Sequence, residues 1–375
     1  MAPVGAGRSP RWASRPSAAK RSALVRHGER MKEEIRVQEA PSCFLCGTDG
    51  LSLYGDLRDR LFDAPGEWRI RKCPNSACGL LWLDPMPSEE DLWKAYRNYY
   101  THQKDKPLPP DTWPRRVYQD IKRGYLASKY GYYRETTPLW KRLMGFLLYL
   151  APARRTYLDF NVMYLPAQPH GQLLDIGCGS GALIETMHRM GWSAEGVDND
   201  AAAVKNARSK GLRVALGGLE AQKYPENHFD AVTMSHMIEH VHDPLRLLSE
   251  CHRILKPGGR FVVVTPNGKS WGHKLFKEAW RGLEPPRHLH VFTPLALRHL
   301  VEKAGFSQLS VSTTVREADG VFVMSRAIQH TGKYVYGSPQ PCSMRIWAWG
   351  VQAAEWAALK VRPDTGEEIV LMAAK

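Results

Sequence analysis

The sequence predicts an α/β fold: a doubly wound, mostly parallel sheet of seven strands, preceded by a small cysteine-bearing module and by helical segments. Three observations carry this. From Gly171 to about residue 315, short apolar runs alternate with helical stretches at the spacing of a parallel sheet with crossover helices. The first run leads into a glycine-rich loop, LLDIGCGSGALIE (Leu173–Glu185), at the point where a strand gives way to a helix. Four of the seven cysteines form two tight pairs far upstream.

Residues 1–40 read as a basic, disordered tail. Within residues 1–30, Arg8, Arg11, Arg15, Lys20, Arg21, Arg26 and Arg30 stand against Glu29 alone, leaving +8 of the net +14 for the rest of the chain. This leader is rich in Arg, Ser and Ala, the composition of a transit peptide as well as of a plain extension. The longest apolar run, Leu143–Ala151, is far short of the roughly 20 residues of a membrane span. With no apolar signal core at the N-terminus, a cytoplasmic protein is expected.

Residues 41–103 hold Cys43-x2-Cys46 and Cys73-x4-Cys78, separated by 26 residues and each followed by a glycine, Gly47 and Gly79. Glycine allows the tight knuckle turn. Four thiolates make a closed tetrahedral Zn²⁺ site, hence a structural zinc ribbon, and a module of this size needs such a staple. Cys178, Cys251 and Cys342 stand alone.

Residues 104–170 open with a proline-rich linker (Lys104–Arg116), followed by two aromatic-rich helical stretches, the second around LWKRLMGFLLYL. From residue 171 to 375 the strands are expected at Gln172–Ile176, Ser193–Asp198, Leu212–Leu216, Phe229–Ser235 and Gly259–Pro266, the last with an uninterrupted apolar centre that suits burial on both faces. Helices fall near 181–190, 200–210 and 244–255. Asp243-Pro244 caps and starts the third, and Pro257-Gly258-Gly259 ends it. Phe306–Thr313 and Glu367–Ala374 complete the sheet. The insertion 316–366 carries a Trp-rich amphipathic helix, Ser343–Lys360. That helix forms a lid with the 136–166 helices, buries against the sheet, or docks on a membrane surface.

In the glycine loop, Gly177, Gly179 and Gly181 permit a sharp turn and close approach of a ligand to the backbone. Asp198 ends the second strand, placed to accept hydrogen bonds from ribose hydroxyls. Gly177, Gly179 and Ala182 also satisfy the G-x-G-x-x-A spacing of nicotinamide enzymes. Asp175, two residues before the loop, and the motifs downstream separate the two readings.

DIGCGSG, GVDND, HFDAVTMSHMIEHVHDP and ILKPGGRFVVVTPN together resemble the successive motifs of class I S-adenosylmethionine-dependent methyltransferases, and most closely the ubiquinone-biosynthesis O-methyltransferase branch, over roughly Gly171–Thr313. The resemblance implies a Rossmann-like fold and S-adenosylmethionine as cofactor. It implies that Asp175, Gly177, Gly179 and Gly181 surround the methionine part, Asp198 the ribose, and Gly218 and Leu219 the adenine, with Ser235 also at the cofactor. The chain departs from the family near Gly218, where an acidic residue is common.

Methyl transfer needs a nucleophile held in line with the sulfonium and, for a hydroxyl, a base. HMIEH supplies His236, Glu239 and His240, which share one face if the segment is helical. The related enzymes have Glu-x-x-Glu-His here, associated with a divalent metal. His236 replaces the first Glu, and the mixed nitrogen and oxygen set suits Mg²⁺ poorly. In Trp280–Pro294, His290 is the expected substrate-pocket histidine by the same resemblance, with Trp271, Trp280 and Phe292 as apolar lining. The function expected is methyl transfer to a small-molecule acceptor resembling a sugar, quinone or phenol. A zinc-ribbon RNA methyltransferase is the rival, because zinc ribbons also bind nucleic acid. Against it, there is no Asn-Pro-Pro-Tyr type motif, no Cys placed as a pyrimidine nucleophile and no dense basic stripe.

Overall fold

The computed structural model describes residues 34–97 and 111–375; the basic leader and residues 98–110, which include most of the proline-rich linker, lie outside the described residues. The cysteine module contributes β1 (Val37–Gln38), β2 (Leu51–Leu57), β3 (Trp68–Lys72), β4 (Leu81–Leu83) and β5 (Met86–Pro87). β2, β3 and β4 form an antiparallel meander. In β3, Trp68 and Ile70 point inward while the intervening Arg69 is exposed, the period-2 pattern of a sheet covered on one face.

Next come α1 (Trp113–Lys129), α2 (Leu139–Met144), a 3₁₀ turn (Gly145–Leu150) and α3 (Pro152–Asn161). The main sheet and its helices follow: β6 (Gln172–Ile176), α4 (Ala182–Arg189), β7 (Ser193–Asp198), α5 (Ala201–Ser209), β8 (Val214–Leu216), β9 (Phe229–Ser235), α6 (Pro244–Ile254), β10 (Leu255–Pro266), α7 (Trp271–Phe276), β11 (His290–Val291), α8 (Pro294–Lys303), β12 (Ser307–Thr314), α9 (Ala318–Thr331), α10 (Cys342–Ala358) and β13 (Glu368–Ala374). The seven-stranded order is β12-β13-β10-β9-β6-β7-β8. β13 runs antiparallel to both neighbours, and the β10-β9-β6-β7-β8 pairs are parallel. The Rossmann-like α/β architecture read from the sequence is therefore present.

The antiparallel β13 has a topological consequence. Its first residue, Glu368, pairs with Pro266 at the end of β10, so the start of β13 sits at the carboxyl edge of the parallel strands, where ligands bind in such sheets. Residues of the long insertion are thereby delivered to the same edge as the glycine loop.

Asp243 caps α6 as expected, accepting from the Arg246 N–H at 2.9 Å. Other boundaries differ for local reasons. β8 starts at Val214 rather than Leu212, because the Leu212 N–H is spent on the Ala207 carbonyl at the end of α5. β10 starts at Leu255, and its register jumps between Leu255 and Arg260 around Gly258 at φ +73°. The insertion holds two helices, α9 and α10, where only the second was expected. The two proposed lid segments do not pair. Residues of α1 and α3 join the core on the α4–α5 face with Leu173, Ala194 and Val262, whereas α9, α10 and the cysteine module share the other core with Val232, Phe261 and Val263.

The cysteine module is not a separate body either: Ile35–Lys375 is one compact unit. β11 adds to the module's sheet as its fourth strand, His290 pairing with Trp82 and Val291 with Leu81. Thr293 Oγ1 then donates to the Cys78 carbonyl at 2.6 Å.

Candidate active site and cysteine centre

The glycine loop turns back over β7. Gly177 and Cys178 both donate their N–H to the Val197 carbonyl, at 2.8 and 3.3 Å. Gly177, Gly179 and Gly181 all have positive φ, +72°, +53° and +80°, conformations that favour glycine. A Cβ on Gly177 would fall 2.8 Å from Met237 Cγ and one on Gly181 2.5 Å from Leu212 Cδ1, whereas one on Gly179 would meet nothing within 4 Å. The first and third glycines are thus needed for packing, and the middle one borders open space.

Asp198 anchors this cradle. Its Oδ2 accepts the Gly179 N–H at 2.7 Å and its Oδ1 the Asp200 N–H at 2.8 Å. Asp175 lies beneath, buried, accepting from Thr233 Oγ1 at 2.8 Å. Burial pushes its carboxyl up to about 7, against the Thr233 hydrogen bond and with the Asp198 charge adding to the rise. A cationic ligand group beside Asp175 would restore its charge. Ser235 is half-buried at the end of β9, next in sequence to the histidine cluster. Gly218 is exposed and caps the 3₁₀ turn Leu219–Gln222, but the Leu219 side chain is buried in the core, so of the expected adenine pair only Gly218 faces outward.

His236, Glu239 and His240 do not lie on one helix face. His236 is in the left-handed region at φ +50°, and only Ile238–His240 form a 3₁₀ turn. The buried Glu239 sits between two groups. On one side His236 Nδ1 is 3.4 Å from Glu239 Oε1 while its Nε2 is 2.9 Å from Glu368 Oε1, with the Arg316 guanidinium paired to Glu368. Burial works against the His236 cation, but the Glu239 and Glu368 carboxylates outweigh it and push the imidazole up to about 9. Burial likewise opposes the Glu239 charge, yet the surrounding imidazoles, His236 first, hold that carboxyl at about 2. Thr265 Oγ1 donates to Glu239 Oε2 at 3.0 Å.

On the other side, Glu239, His240 and His288 bring three potential ligand atoms within 4.8 Å of one another. His240 Nδ1 is 2.9 Å from the Arg287 carbonyl, and His288 Nδ1 is 2.8 Å from the Gly282 carbonyl. A carbonyl only accepts, so both rings donate from Nδ1–H. Burial pushes His288 down to about 4. Two imidazoles beside a carboxylate can relay a proton or ligate a borderline cation.

His290, the histidine expected at the pocket, is elsewhere. It lies in β11, buried, with its ring 4.7 Å from Phe44 of the cysteine module, and burial pushes it down to about 3. β11 comprises only His290 and Val291, so His288 lies before the strand, after the turn that follows Glu284, and the structure places it in the cluster. Trp280 and Phe292 are core residues, Trp280 donating to Glu367 Oε2 at 2.9 Å, and Trp271 is half-buried at the start of α7.

Sequence reasoning missed what positions this cluster. The buried Arg287 guanidinium bonds both oxygens of Asp59 at 2.8 and 2.9 Å, Glu284 Oε1 at 2.8 Å and the Ala95 carbonyl at 3.0 Å. Tyr96 OH is 3.0 Å from His240 Nδ1. Asp59, Ala95 and Tyr96 all belong to the cysteine module, so that module orients the histidine loop. The only sequence signal was the Arg287-His288 pair inside a proline-bounded loop.

The four cysteine sulfurs lie within 4.8 Å of one another, Cys43 to Cys78 at 3.7 Å and Cys46 to Cys73 at 3.4 Å. A disulfide would need about 2.05 Å. A tetrahedron with metal–sulfur bonds of about 2.3 Å spaces its sulfurs about 3.8 Å apart, so the cysteines fit a four-thiolate ion. The knuckle glycines adopt φ +71° at Gly47 and +63° at Gly79.

Residues 149–311 match the methyltransferase-domain family. Among relatives, the ubiquinone biosynthesis O-methyltransferase of Klebsiella pneumoniae is 37% identical over 109 residues, covering 27% of this chain and 45% of that protein. The Cereibacter sphaeroides enzyme of the same name is 36% identical over 146 residues, covering 36% of this chain and 59% of its own length. The chain thus spans about half the length of these relatives. A SAM dependent methyltransferase structure from Archaeoglobus fulgidus aligns at 22% identity and a TM-score of 0.40, over 60% of this chain and 93% of its own. The matched stretch contains the glycine loop, Asp198, Glu239, His240 and His288, whereas the four cysteines precede it.

Proposed function

We propose that this chain is an S-adenosylmethionine-dependent methyltransferase acting on the hydroxyl of a small-molecule acceptor, with Zn²⁺ as a structural ion in its cysteine module. The observation that carries the reading is the cradle of Asp175, Gly177, Gly179, Gly181 and Asp198, with its middle glycine bordering open space at the carboxyl edge of β6 and β7. The residues fit the cofactor: Asp198 to the ribose, and Asp175, poised near neutrality, to the ammonium of the methionine part.

When bound, the cofactor supplies a methyl group already activated by its positive sulfur. What the chain must add is aim and a place for a proton. His240 Nε2 is the ring nitrogen placed to take the acceptor's hydroxyl proton, because Nδ1–H is committed to the Arg287 carbonyl. The Glu239 carboxylate stands beside it to share that charge. The O-methyltransferase names of the relatives support a hydroxyl acceptor.

Titration calorimetry with S-adenosylhomocysteine tests the cofactor. One site per chain, with no heat from NADH, is the expected outcome; zinc-loaded, folded protein that binds NADH and not the nucleoside overturns the reading.

A further inference from the structure

Residues 113–161 hold ten lysines and arginines against three acids, so this one helical segment carries half of the chain's net charge of +14. The same segment turns apolar side chains into water. Leu139, Trp140, Leu143, Phe146, Leu147 and Leu150 are between 51% and 83% exposed. Leu139 and Leu143 are one turn apart on α2, and Phe146, Leu147 and Leu150 carry the exposure on through the adjoining 3₁₀ turn, so the apolar side chains form one patch along a single segment.

The packing explains why this face is turned outward. α1 crosses the α2–3₁₀ segment at backbone contact through two glycines. A Cβ on Gly124 would lie 1.7 Å from the Lys141 carbonyl oxygen, and one on Gly145 2.3 Å from the Tyr125 nitrogen. Leu148 is the leucine of this stretch that enters the core. With the inner side occupied by backbone, the remaining leucines, Phe146 and Trp140 have only the outer side. Around them lie Lys141, Arg142, Arg154 and Arg155; Lys141 is paired with Asp120, while Arg154 is exposed over the Tyr118 ring.

We propose that this face docks on an anionic phospholipid surface. A polyanion such as RNA would satisfy the cations and leave the six apolar side chains in water. A second copy of the chain, paired about a two-fold axis, would cover the apolar face but set each basic rim against its own kind. An anionic bilayer meets both demands, with leucine, phenylalanine and tryptophan entering the headgroup boundary and the cations at the phosphates. The inference does not depend on which cofactor the glycine loop holds.

The test is co-sedimentation of the full chain with vesicles of phosphatidylcholine alone or with ~30% phosphatidylglycerol. Because the leader is also basic, the decisive variant, Leu143→Ser/Leu147→Ser, changes no charge. Wild type should bind the anionic vesicles and not the neutral ones. The double variant should bind at least about tenfold more weakly, since each exposed leucine loses most of its transfer to the boundary. An unchanged Tm certifies its fold. Lys141→Gln/Arg154→Gln should lower binding and flatten its salt dependence. Equal binding by wild type and the leucine variant, no binding to anionic vesicles, a dimer dispersed by the leucine variant, or salt-sensitive RNA binding in place of vesicle binding each overturns the proposal.

Discussion

Replacing Asp198 with asparagine probes the cofactor cradle with the least change of shape. Both carboxylate oxygens are in use, one on the Gly179 N–H at 2.7 Å and one on the Asp200 N–H at 2.8 Å. Asparagine retains one acceptor and turns an amide NH₂ toward the other donor. One charge-assisted hydrogen bond is lost, worth about 1.5–3 kcal/mol. A charged bond of the same strength to the ribose is worth roughly 10- to 150-fold in binding. The ribose loses a charged acceptor as well, so Asp198→Asn should weaken S-adenosylhomocysteine at least about 30-fold by calorimetry. The same lost bond lowers Tm by only about 3–8 °C for a domain of this size, so the variant is folded during the titration. An affinity within threefold of wild type, in a variant whose Tm has moved no further than that, would refute the assignment of Asp198 to the cofactor.

Other outcomes follow from the same geometry. The folded-state value of about 7 at Asp175 means that S-adenosylhomocysteine affinity should rise from pH 6 to 8 as the carboxyl ionises to face the ammonium, and Asp175→Asn should abolish that step; a flat profile in wild type argues against the contact. Metal analysis should find one Zn²⁺ per chain, and Cys73→Ser should remove it and lower Tm by more than about 6 °C, the effect of roughly 3 kcal/mol; a chain with no metal and an unchanged Tm contradicts the centre. Glu355 is fully buried in α10 with no partner for either carboxylate oxygen among the described residues, and burial, with Glu367 beside it, pushes it up to about 10. The folded chain therefore holds this proton more tightly than the unfolded one, so the associated stability is complete below the ordinary glutamate range near 4 and is lost as pH rises toward 10. Glu355→Gln cannot ionise and should raise Tm at pH 8 by at least about 2–4 °C, roughly 1 kcal/mol, while matching wild type near pH 4.5; equal Tm values at pH 8 would show the carboxyl to be solvated.

The strands that bear the cofactor loop were legible because their pattern is local. β6, β7 and β9 have the expected bounds, and the Asp243 cap and the knuckle glycines do what their types suggest. The histidine cluster was only half legible. Its conformation depends on a left-handed His236 and a single 3₁₀ turn, which no periodicity announces. That His288 rather than His290 stands beside Glu239 has no local signal, since it depends on the pairing of β11 with a strand of the cysteine module, which takes His290 into that module. Nothing local marks Asp59 as the partner of Arg287, since the two are 228 residues apart in sequence. α9 was overlooked because its boundary residue, Glu317, is left-handed and offers no side-chain cap.

The edge strand that completes the meander arrives late in synthesis. Cys78 and Thr293 are 215 residues apart, yet one clasps the other, so a ribosome must add all of the intervening chain before the cysteine module can close its sheet. Contacts of such long range are slow to form and exposed while they wait. Metal capture by the cysteines would hold the early-made piece in shape through that interval, giving the ion a duty during biogenesis quite apart from the finished protein.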